Sequence, residues 1–199
     1  MTWFDWLVFV TGVAAVWLTV RQHLLNWPIG IANSLAVLVV AVQHRLYADG
    51  GLQIVYVVLG FYGWWHWYYG NPARHDALPV VRTPPRAVLP LATVSVVTYL
   101  AIAGALRTFT DSDVPWLDAF PTTASLLAQY LLTRKYLANW AVWIFAVNIP
   151  FAALYLYKGL PLLALLQPVY VVLSVAGWRA WRVALVAADP GALEAQVAS

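Results

Sequence analysis

The chain has 199 residues, of which 63% are hydrophobic and only 10% are charged. An ordinary soluble domain has about 25% charged residues, so the 11 basic and 8 acidic side chains cannot cover a water-exposed surface. The composition excludes a soluble globule and indicates that apolar surface faces lipid. The net charge of +3 comes from single and paired basic residues rather than a stripe, so no nucleic acid partner is expected. Without cysteine, disulfides and thiol chemistry are excluded.

Seven apolar stretches are each close to the roughly 20 residues that a helix needs to cross a bilayer. In chain order they cover residues 3–20, 27–43, 51–69, 87–106, 116–132, 139–156 and 160–181. The breaks between them are short, which is typical of adjacent antiparallel helices. The sequence therefore predicts an all-α integral membrane protein with seven transmembrane helices.

Lysine and arginine are divided unevenly between the two sides of these spans. The N-terminal side has three of them, Arg45, Arg107 and Lys158. The opposite side has eight: Arg21, Arg74, Arg82, Arg86, Arg134, Lys135, Arg179 and Arg182. Because basic loops stay in the cytoplasm, we expect the N-terminus outside and the C-terminus in the cytoplasm.

Many tryptophans lie near the ends of the predicted spans. An indole ring is amphipathic and prefers the headgroup region, so interfacial anchoring is the expected role for most of them. The set comprises Trp3, Trp6, Trp27, Trp64, Trp65, Trp67, Trp116, Trp140, Trp178 and Trp181.

The sequence contains an internal repeat. Residues 53–67 and 167–181 both read Q-x-V-Y-V-V-L-x-x-x-G-W-x-x-W, at an offset of 114. Earlier in the chain the offset is 113, as between Trp27 and Trp140, so the later copy gains one residue around its second helix. We predict a first three-helix repeat (1–69), a loop and linker helix (70–115), a second three-helix repeat (116–182) and a cytoplasmic tail (183–199). The linker helix makes the two repeats parallel, an arrangement that secondary transporters use.

Several ordered strings of the chain resemble the PnuC family of bacterial vitamin transporters, over residues 3–182. They are Asn26-Trp27-Pro28-Ile29-Gly30, Leu46-Tyr47-Ala48-Asp49, Gly63-Trp64-Trp65-His66-Trp67, Arg134-Lys135-Tyr136 with Asn139-Trp140 and Trp143, and Leu156-Tyr157-Lys158-Gly159-Leu160. The resemblance implies a 3+1+3 helix fold related to the SWEET sugar transporters, in the bacterial inner membrane. It also implies uptake by facilitated diffusion, trapping of the compound through phosphorylation by a cytoplasmic kinase, and a homotrimer.

The substrate that the resemblance implies first is nicotinamide riboside. Thiamine, riboflavin or a deoxynucleoside are the alternatives on the same fold. A membrane enzyme would need a nucleophile with a base or clustered metal ligands, and neither pattern is visible in the sequence. A retinal receptor would need a lysine in the middle of span seven, which has none. We therefore expect a transporter without enzymatic activity, cofactor or metal.

The acidic residues give no sign of coupling to protons or sodium. A coupling carboxylate is expected deep in the membrane, where its cost marks it as functional. The acids here lie at span ends, in loops or in the tail: Asp5, Asp49, Asp76, Asp111, Asp113, Asp118, Asp189 and Glu194. This distribution favours passive transport.

The sixth span carries the residue that we most expect to bind substrate. Asn148 lies near mid-span, and its amide could pair with a carboxamide or a ribose hydroxyl. Tyr155 follows on nearly the same helix face. An indole from Trp140 or Trp143 could stack on a cationic ring, and the resemblance also implies a tryptophan and an asparagine of this helix as substrate contacts. The alternative for Asn148 is a structural bond between helices.

Two polar stripes complete the predicted site. Thr122, Ser125 and Gln129 share one face of the fifth span. Two interpretations of this face are open: it lines a substrate pocket, or it forms hydrogen bonds between helices. The third and seventh spans share a stripe of Gln, Tyr and Gly, which we interpret mainly as close packing. Its glutamines, Gln53 and Gln167, are the further candidates for substrate contact.

Overall fold

The computed structural model describes residues 3–43, 47–70, 78–159 and 161–188. Seven helices run through these ranges: α1 (Trp3–Val20), α2 (Asn26–Gln43), α3 (Tyr47–Tyr69), α4 (Pro85–Phe109), α5 (Pro115–Thr133), α6 (Ala138–Tyr157) and α7 (Pro161–Ala188). The prediction of an all-helical protein with seven helices is thus confirmed. Helix α7 continues six residues beyond position 182, where we expected the tail to begin, and residues 189–199 lie outside the described part.

Three of the helices are long and apolar enough to cross a bilayer on their own composition. They are α4, α6 and the Leu163–Ala187 part of α7. Shorter apolar helical stretches, Trp6–Val20 and Asn26–Val39, lie in the described parts of α1 and α2.

Six of the helices are joined in a closed ring. Helix α2 packs between α1 and α3, α3 packs on α5, α6 packs between α5 and α7, and α7 returns to α1. Helix α4 packs on α5, and only 6% of its most apolar window is buried. Side chains that point from α1 towards both α2 and α7, or from α5 towards both α3 and α6, therefore face the interior of this ring.

Helix α6 is interrupted by a π-helical stretch, Val142–Asn148. A π-helix closes its hydrogen bonds over five residues instead of four, so it accommodates an additional residue within a helix. The sequence offset changes from 113 at Trp140 to 114 at Gly177, and this stretch lies between the two. Pro150, which has no N–H and disfavours a regular helix before it, lies two residues after the end of this stretch.

Helices α1 and α5 end in the same way. Gln22 and Lys135 have positive φ angles of 55° and 50°. In each case the next amide closes the helix end, with His23 donating to the Leu18 carbonyl and Tyr136 to the Leu131 carbonyl, both at 2.9 Å. This is the Schellman pattern that glycine usually provides.

Four tryptophans form the centre of the hydrophobic core at one end of the ring. Trp27, Trp67, Trp140 and Trp181 are all at most 3% exposed. The ring centroids of Trp67 and Trp181 are 5.9 Å apart, and each of these indoles has a further tryptophan at its edge. The expectation of interfacial anchoring is therefore wrong for these four, because they pack against one another.

The exposed tryptophans fit the anchoring role better. Trp6, Trp65 and Trp116 are 53%, 58% and 43% exposed. Trp64 and Trp65 also line an open groove of about 400 Å³ on the outer face of α3. Such amphipathic rings on an outer surface suit the interface between lipid and water.

A short extended segment before α4 covers the tryptophan cluster. Val80 is buried within the cluster, and Val81 forms a parallel bridge with Tyr136. The Val81 amide donates to the Lys135 carbonyl at 3.1 Å, and the Leu137 amide donates to the Val81 carbonyl at 3.0 Å. This segment, 78–83, ties the chain after α3 to the loop between α5 and α6.

Candidate functional site

The polar face of α5 lies towards the interior of the ring. Ser125 is 1% exposed and donates to the Pro121 carbonyl at 2.7 Å, while Thr122 donates to the Asp118 carbonyl at 2.8 Å. Both hydroxyl protons therefore serve the helix backbone. Gln129, half-buried two turns after Thr122, has no side-chain hydrogen bond within the described ranges, so its amide remains available.

Residues from three helices meet at Tyr56. The Tyr56 hydroxyl of α3 has the Ser125 side chain as a hydrogen-bonding partner, and Tyr155 of α6 is close by. The Tyr155 ring stacks on Phe151 with centroids 5.3 Å apart. The structure thus brings together Ser125 and Tyr155, which the sequence singled out separately.

Asn148 occupies the last position of the π-helical stretch in α6. It is 4% exposed, yet among the described residues its amide has no hydrogen-bond partner. The amide nitrogen and oxygen keep some accessible surface, so a bound polar group can reach both a donor and an acceptor there. The neighbouring Val147 packs against Ala124 and Ala128 of α5, so Asn148 lies close to the α5 contact.

The two candidate tryptophans of α6 have different surroundings. Trp140 is buried against Gly177 and packs edge-on to Trp181, with centroids 5.3 Å apart. Trp143 is half-buried and lies between the tryptophan cluster and the Ala124, Ala128 and Val147 group. Only Trp143 of this pair retains appreciable free ring surface.

The two glutamine candidates also differ. Gln167 of α7 is buried and donates from Nε2 to the Leu163 carbonyl at 3.3 Å. Gln53 of α3 is half-buried and, within the described part of the chain, has no side-chain hydrogen bond. The glycines of the same stripe serve close packing, since a Cβ at Gly63 would overlap the Trp27 indole, and one at Gly177 would overlap Trp140.

A second polar group lies between α1, α2 and α7. Asn33 of α2 donates from Nδ2 to the Val8 carbonyl at 2.7 Å and to Thr11 Oγ1 at 2.9 Å. The Tyr170 hydroxyl lies 3.0 Å from where a Cβ on Gly12 would be. Asn33 is not among the site residues predicted from the sequence, although it has the signal that identified Asn148, an asparagine within an apolar span.

Lys135 is a buried cation at the tryptophan end of the ring. It is 1% exposed, and its Nζ donates to Gln22 Oε1 at 3.0 Å and lies 4.3 Å from the centroid of the Trp67 ring. Burial lowers its pKa from 10.5 to about 8. Among the described residues, no group of three potential metal ligands is present.

The model of the nicotinamide mononucleotide transporter family matches residues 2–183. The chain belongs to this family. It is 20% identical to the nicotinamide riboside transporter PnuC of Escherichia coli (strain K12), over 91% of this chain and 85% of the relative. It is 28% identical to PnuC of Neisseria mucosa, over 90% of this chain and 72% of the relative. It is 26% identical to the riboflavin/roseoflavin transporter RibM of Streptomyces davaonensis, over 90% and 84%.

A solved structure supports the same assignment. The crystal structure of the vitamin B3 transporter PnuC superposes with a TM-score of 0.72 at 26% identity, covering 90% of this chain and 80% of that one. Membership of the PnuC family, expected from the sequence strings, is confirmed. The protein is a multi-pass transporter of the bacterial inner membrane, and its family consists of transporters rather than enzymes.

Proposed function

We propose that the protein takes up nicotinamide riboside by facilitated diffusion with alternating access. The observation that carries the proposal is that the Asn148 amide has no hydrogen-bond partner among the described residues, while the half-buried indole of Trp143 lies on the same π-helical stretch. An amide offers a donor and an acceptor to a carboxamide, and an indole face attracts a cationic ring. Relatives named as nicotinamide riboside transporters support this substrate.

Within this proposal the substrate site lies in the interior of the helix ring. Asn148 and Trp143 hold the ring of the substrate, while Gln129, Tyr155 and Gln53 contribute further polar contacts. Ser125 and Thr122 shape this wall through their backbone hydrogen bonds, as does Gln167 on α7. Trp140 acts as a packing residue of the tryptophan cluster.

The architecture we propose is two parallel three-helix repeats, α1 to α3 and α5 to α7, with α4 as the linker. Recurring contacts support it. Trp67 Nε1 donates to the Leu132 carbonyl at 3.2 Å, and Trp181 Nε1 donates to the Thr19 carbonyl at 3.1 Å. The donors are 114 positions apart and the acceptors 113, so the same bond joins the repeats on both sides of the ring.

Alternating access requires that one end of the path be closed while the other is open. The tryptophan cluster, the Lys135 to Gln22 bond and the 78–83 segment all lie at one end. The excess of lysine and arginine in the loops at this end favours a cytoplasmic location for it, with the N-terminus outside. We propose that these contacts form the closed cytoplasmic gate.

The passive mechanism is supported by the surroundings of Asp118. Its carboxylate lies in the first turn of α5, forms an ion pair with Lys158 at 2.6 Å and accepts a 2.6 Å hydrogen bond from the Ser112 hydroxyl. This carboxylate is therefore engaged at a helix end rather than free in the ring interior. Net uptake then depends on phosphorylation of the imported compound by a cytoplasmic kinase, and we further propose assembly as a homotrimer.

The second candidate substrate is riboflavin, which the similarity to RibM supports. Its flat ring would stack on Trp143 in the same way, but it is larger and uncharged. The two substrates can therefore be separated by direct binding measurements. Thiamine and a deoxynucleoside complete the panel of compounds to be compared.

The test is a titration of the purified protein in detergent, followed through the fluorescence of its 12 tryptophans. We expect saturation by nicotinamide riboside and a loss of affinity of at least about tenfold in Asn148→Ala, as an amide bonded to the ligand at two points contributes more than 1.4 kcal/mol. Tyr99→Phe, on α4 outside the ring, is the control and should bind normally. Saturation by riboflavin alone would replace the substrate, and unchanged affinity of Asn148→Ala would refute the site.

A further inference from the structure

The two interfaces between the proposed repeats differ at one pair of equivalent positions. At the α3 to α5 interface, the Tyr56 hydroxyl has Ser125 as its partner. At the α7 to α1 interface the equivalent tyrosine is Tyr170, and the residue at the position of Ser125 is Gly12. Among the described residues the Tyr170 hydroxyl has no hydrogen-bond partner. Because glycine has no side chain, the Tyr170 hydroxyl lacks the partner that the Tyr56 hydroxyl has at the other interface.

Asn33 supplies a second available group at the same place. Both hydrogens of its Nδ2 are used, one by the Val8 carbonyl and one by Thr11 Oγ1. These bonds fix the orientation of the amide and leave Oδ1 as an acceptor without a partner among the described residues. Oδ1 lies 3.7 Å from the position that a Cβ on Gly12 would take. The free acceptor and the free hydroxyl thus converge over Gly12.

The position of Gly12 places both groups in the ring interior. Its missing side chain would meet α7 through Tyr170 and α2 through Asn33, and these are the two ring neighbours of α1. The same argument places Ser125 in the interior, because it meets α3 and lies near α6. Each of the two interfaces between the proposed repeats therefore carries a polar group on the interior side of the ring.

We propose that Gly12, Asn33 and Tyr170 form the sugar-binding half of the substrate site. A vicinal diol offers two donors and two acceptors, which matches the carbonyl oxygen of Asn33 together with the hydroxyl of Tyr170. Gly12 keeps Tyr170 available by providing neither a partner nor bulk. The inference rests on the proposed function and divides its site into a ring-binding half at Asn148 and Trp143 and a hydroxyl-binding half here.

The first test compares Tyr170→Phe with wild type in binding nicotinamide riboside and free nicotinamide, which lacks the sugar. We expect affinity for the riboside to fall about 3- to 10-fold, the effect of one neutral hydrogen bond, with no change for nicotinamide. Tyr56→Phe removes a hydroxyl that is already partnered, so it should lower the melting temperature, whereas Tyr170→Phe should not.

The second test uses Gly12→Ser, which gives Tyr170 the partner that Tyr56 already has. We expect it to weaken riboside binding more than Gly12→Ala, which adds the same Cβ at 3.0 Å from the hydroxyl but no oxygen. Equal riboside affinity in wild type and Tyr170→Phe would overturn the inference while leaving the proposed function in place. Failure of the wild-type protein to bind the riboside or riboflavin would overturn both.

Discussion

Lys135 and Gln22 are in direct contact, with Nζ of the lysine 3.0 Å from Oε1 of the glutamine. They are 113 positions apart, and both have left-handed backbone angles at the end of a helix. The helix ends that the repeat pattern matches in the sequence therefore touch each other in space. The Lys135 to Gln22 pair joins the two proposed repeats at the end that we propose to be cytoplasmic.

Because Lys135 is buried, we expect the free energy of unfolding to vary with pH in the alkaline range. Its pKa is about 8 in the folded protein and 10.5 in an unfolded chain, so between these values the unfolded state binds more protons. Stability must then rise with pH across this window, by up to about 3 kcal/mol. We expect Lys135→Met to be more stable than wild type below pH 8 and to lose this advantage above pH 10.5.

Thermal unfolding of both proteins in detergent, from pH 7 to pH 11, measures this difference. Other titrating groups cancel in the comparison of variant with wild type. Parallel melting curves over the whole range would show that Lys135 does not carry a burial penalty.

The close approach of helices at Gly63 and Gly177 gives a second prediction. A methyl group at either position would overlap the indole of Trp27 or Trp140. Because a packed core tolerates such overlap poorly, we expect Gly63→Ala and Gly177→Ala each to lower the free energy of unfolding by about 3 kcal/mol or more. Circular dichroism melts give the measurement.

Gly104 provides the matched control for these substitutions. It lies within α4, and a Cβ there would meet no atom within 4 Å. Gly104→Ala should stabilise the protein by about 0.5 to 1 kcal/mol through helix propensity alone. A stable Gly63→Ala protein would contradict the close packing of α2 against α3.

The indole hydrogen bonds of the tryptophan cluster give a third prediction. Trp67 and Trp181 donate to backbone carbonyls, whereas Nε1 of Trp27 and of Trp140 has no partner among the described residues. Replacing either of the first two with Phe removes this indole bond, at a cost of about 0.5 to 1.5 kcal/mol beyond the lost packing. The carbonyls themselves keep a backbone donor, since the Lys135 amide donates to Leu132 and the Gln22 amide donates to Thr19, both at 3.0 Å.

The same replacement at Trp27 or Trp140 loses packing but no hydrogen bond. We therefore expect Trp67→Phe and Trp181→Phe to have lower melting temperatures than Trp27→Phe and Trp140→Phe. Four variants with equal melting temperatures would show that the indole bonds contribute no net stability.

Locking the 78–83 segment provides a fourth prediction, on transport. Val81 and Tyr136 are bridge partners, and the chain contains no natural cysteine that could interfere. A disulfide between Val81→Cys and Tyr136→Cys should hold the proposed cytoplasmic gate closed. We expect oxidised protein in vesicles to lose at least about 90% of its uptake, to regain it on reduction, and to bind substrate from the outside in both states.

Oxidised single-cysteine variants are the control and should transport at the rate of wild type. Full transport by the oxidised double variant would show that this segment does not move during the cycle. Loss of binding as well as transport would indicate a damaged fold, so the binding titration accompanies each uptake assay.

Several features of this protein could be predicted from the sequence because they depend on local composition. The seven helices follow from stretches of apolar residues of bilayer length, and the family follows from ordered strings such as Asn26-Trp27-Pro28. The additional residue in the later copy was visible as a change of offset, and the structure contains the π-helical stretch Val142–Asn148 where that change occurs. The sequence could not say what conformation this residue would impose.

The tertiary structure decided which role each of several residues of the same type has. Ten tryptophans near span ends had one expected role, but Trp27, Trp67, Trp140 and Trp181 are buried. Whether each indole is buried or exposed depends on the direction in which its helix faces the neighbouring helices. Two of these indoles pack against glycines, Gly63 and Gly177, that lie on the next helix along the chain. Such contacts are invisible to hydropathy.

By itself, the sequence determined the class of the protein, its helices and its family, since apolar length and repeated strings are properties of consecutive residues. The tertiary structure alone decided that Lys135 is buried against Gln22 and that the Tyr170 hydroxyl lies over Gly12 without a hydrogen-bond partner in the described part of the chain. These relationships join residues more than 100 positions apart. They arise only when the helix ring closes, because closure determines which side chains have partners and which remain available for a ligand.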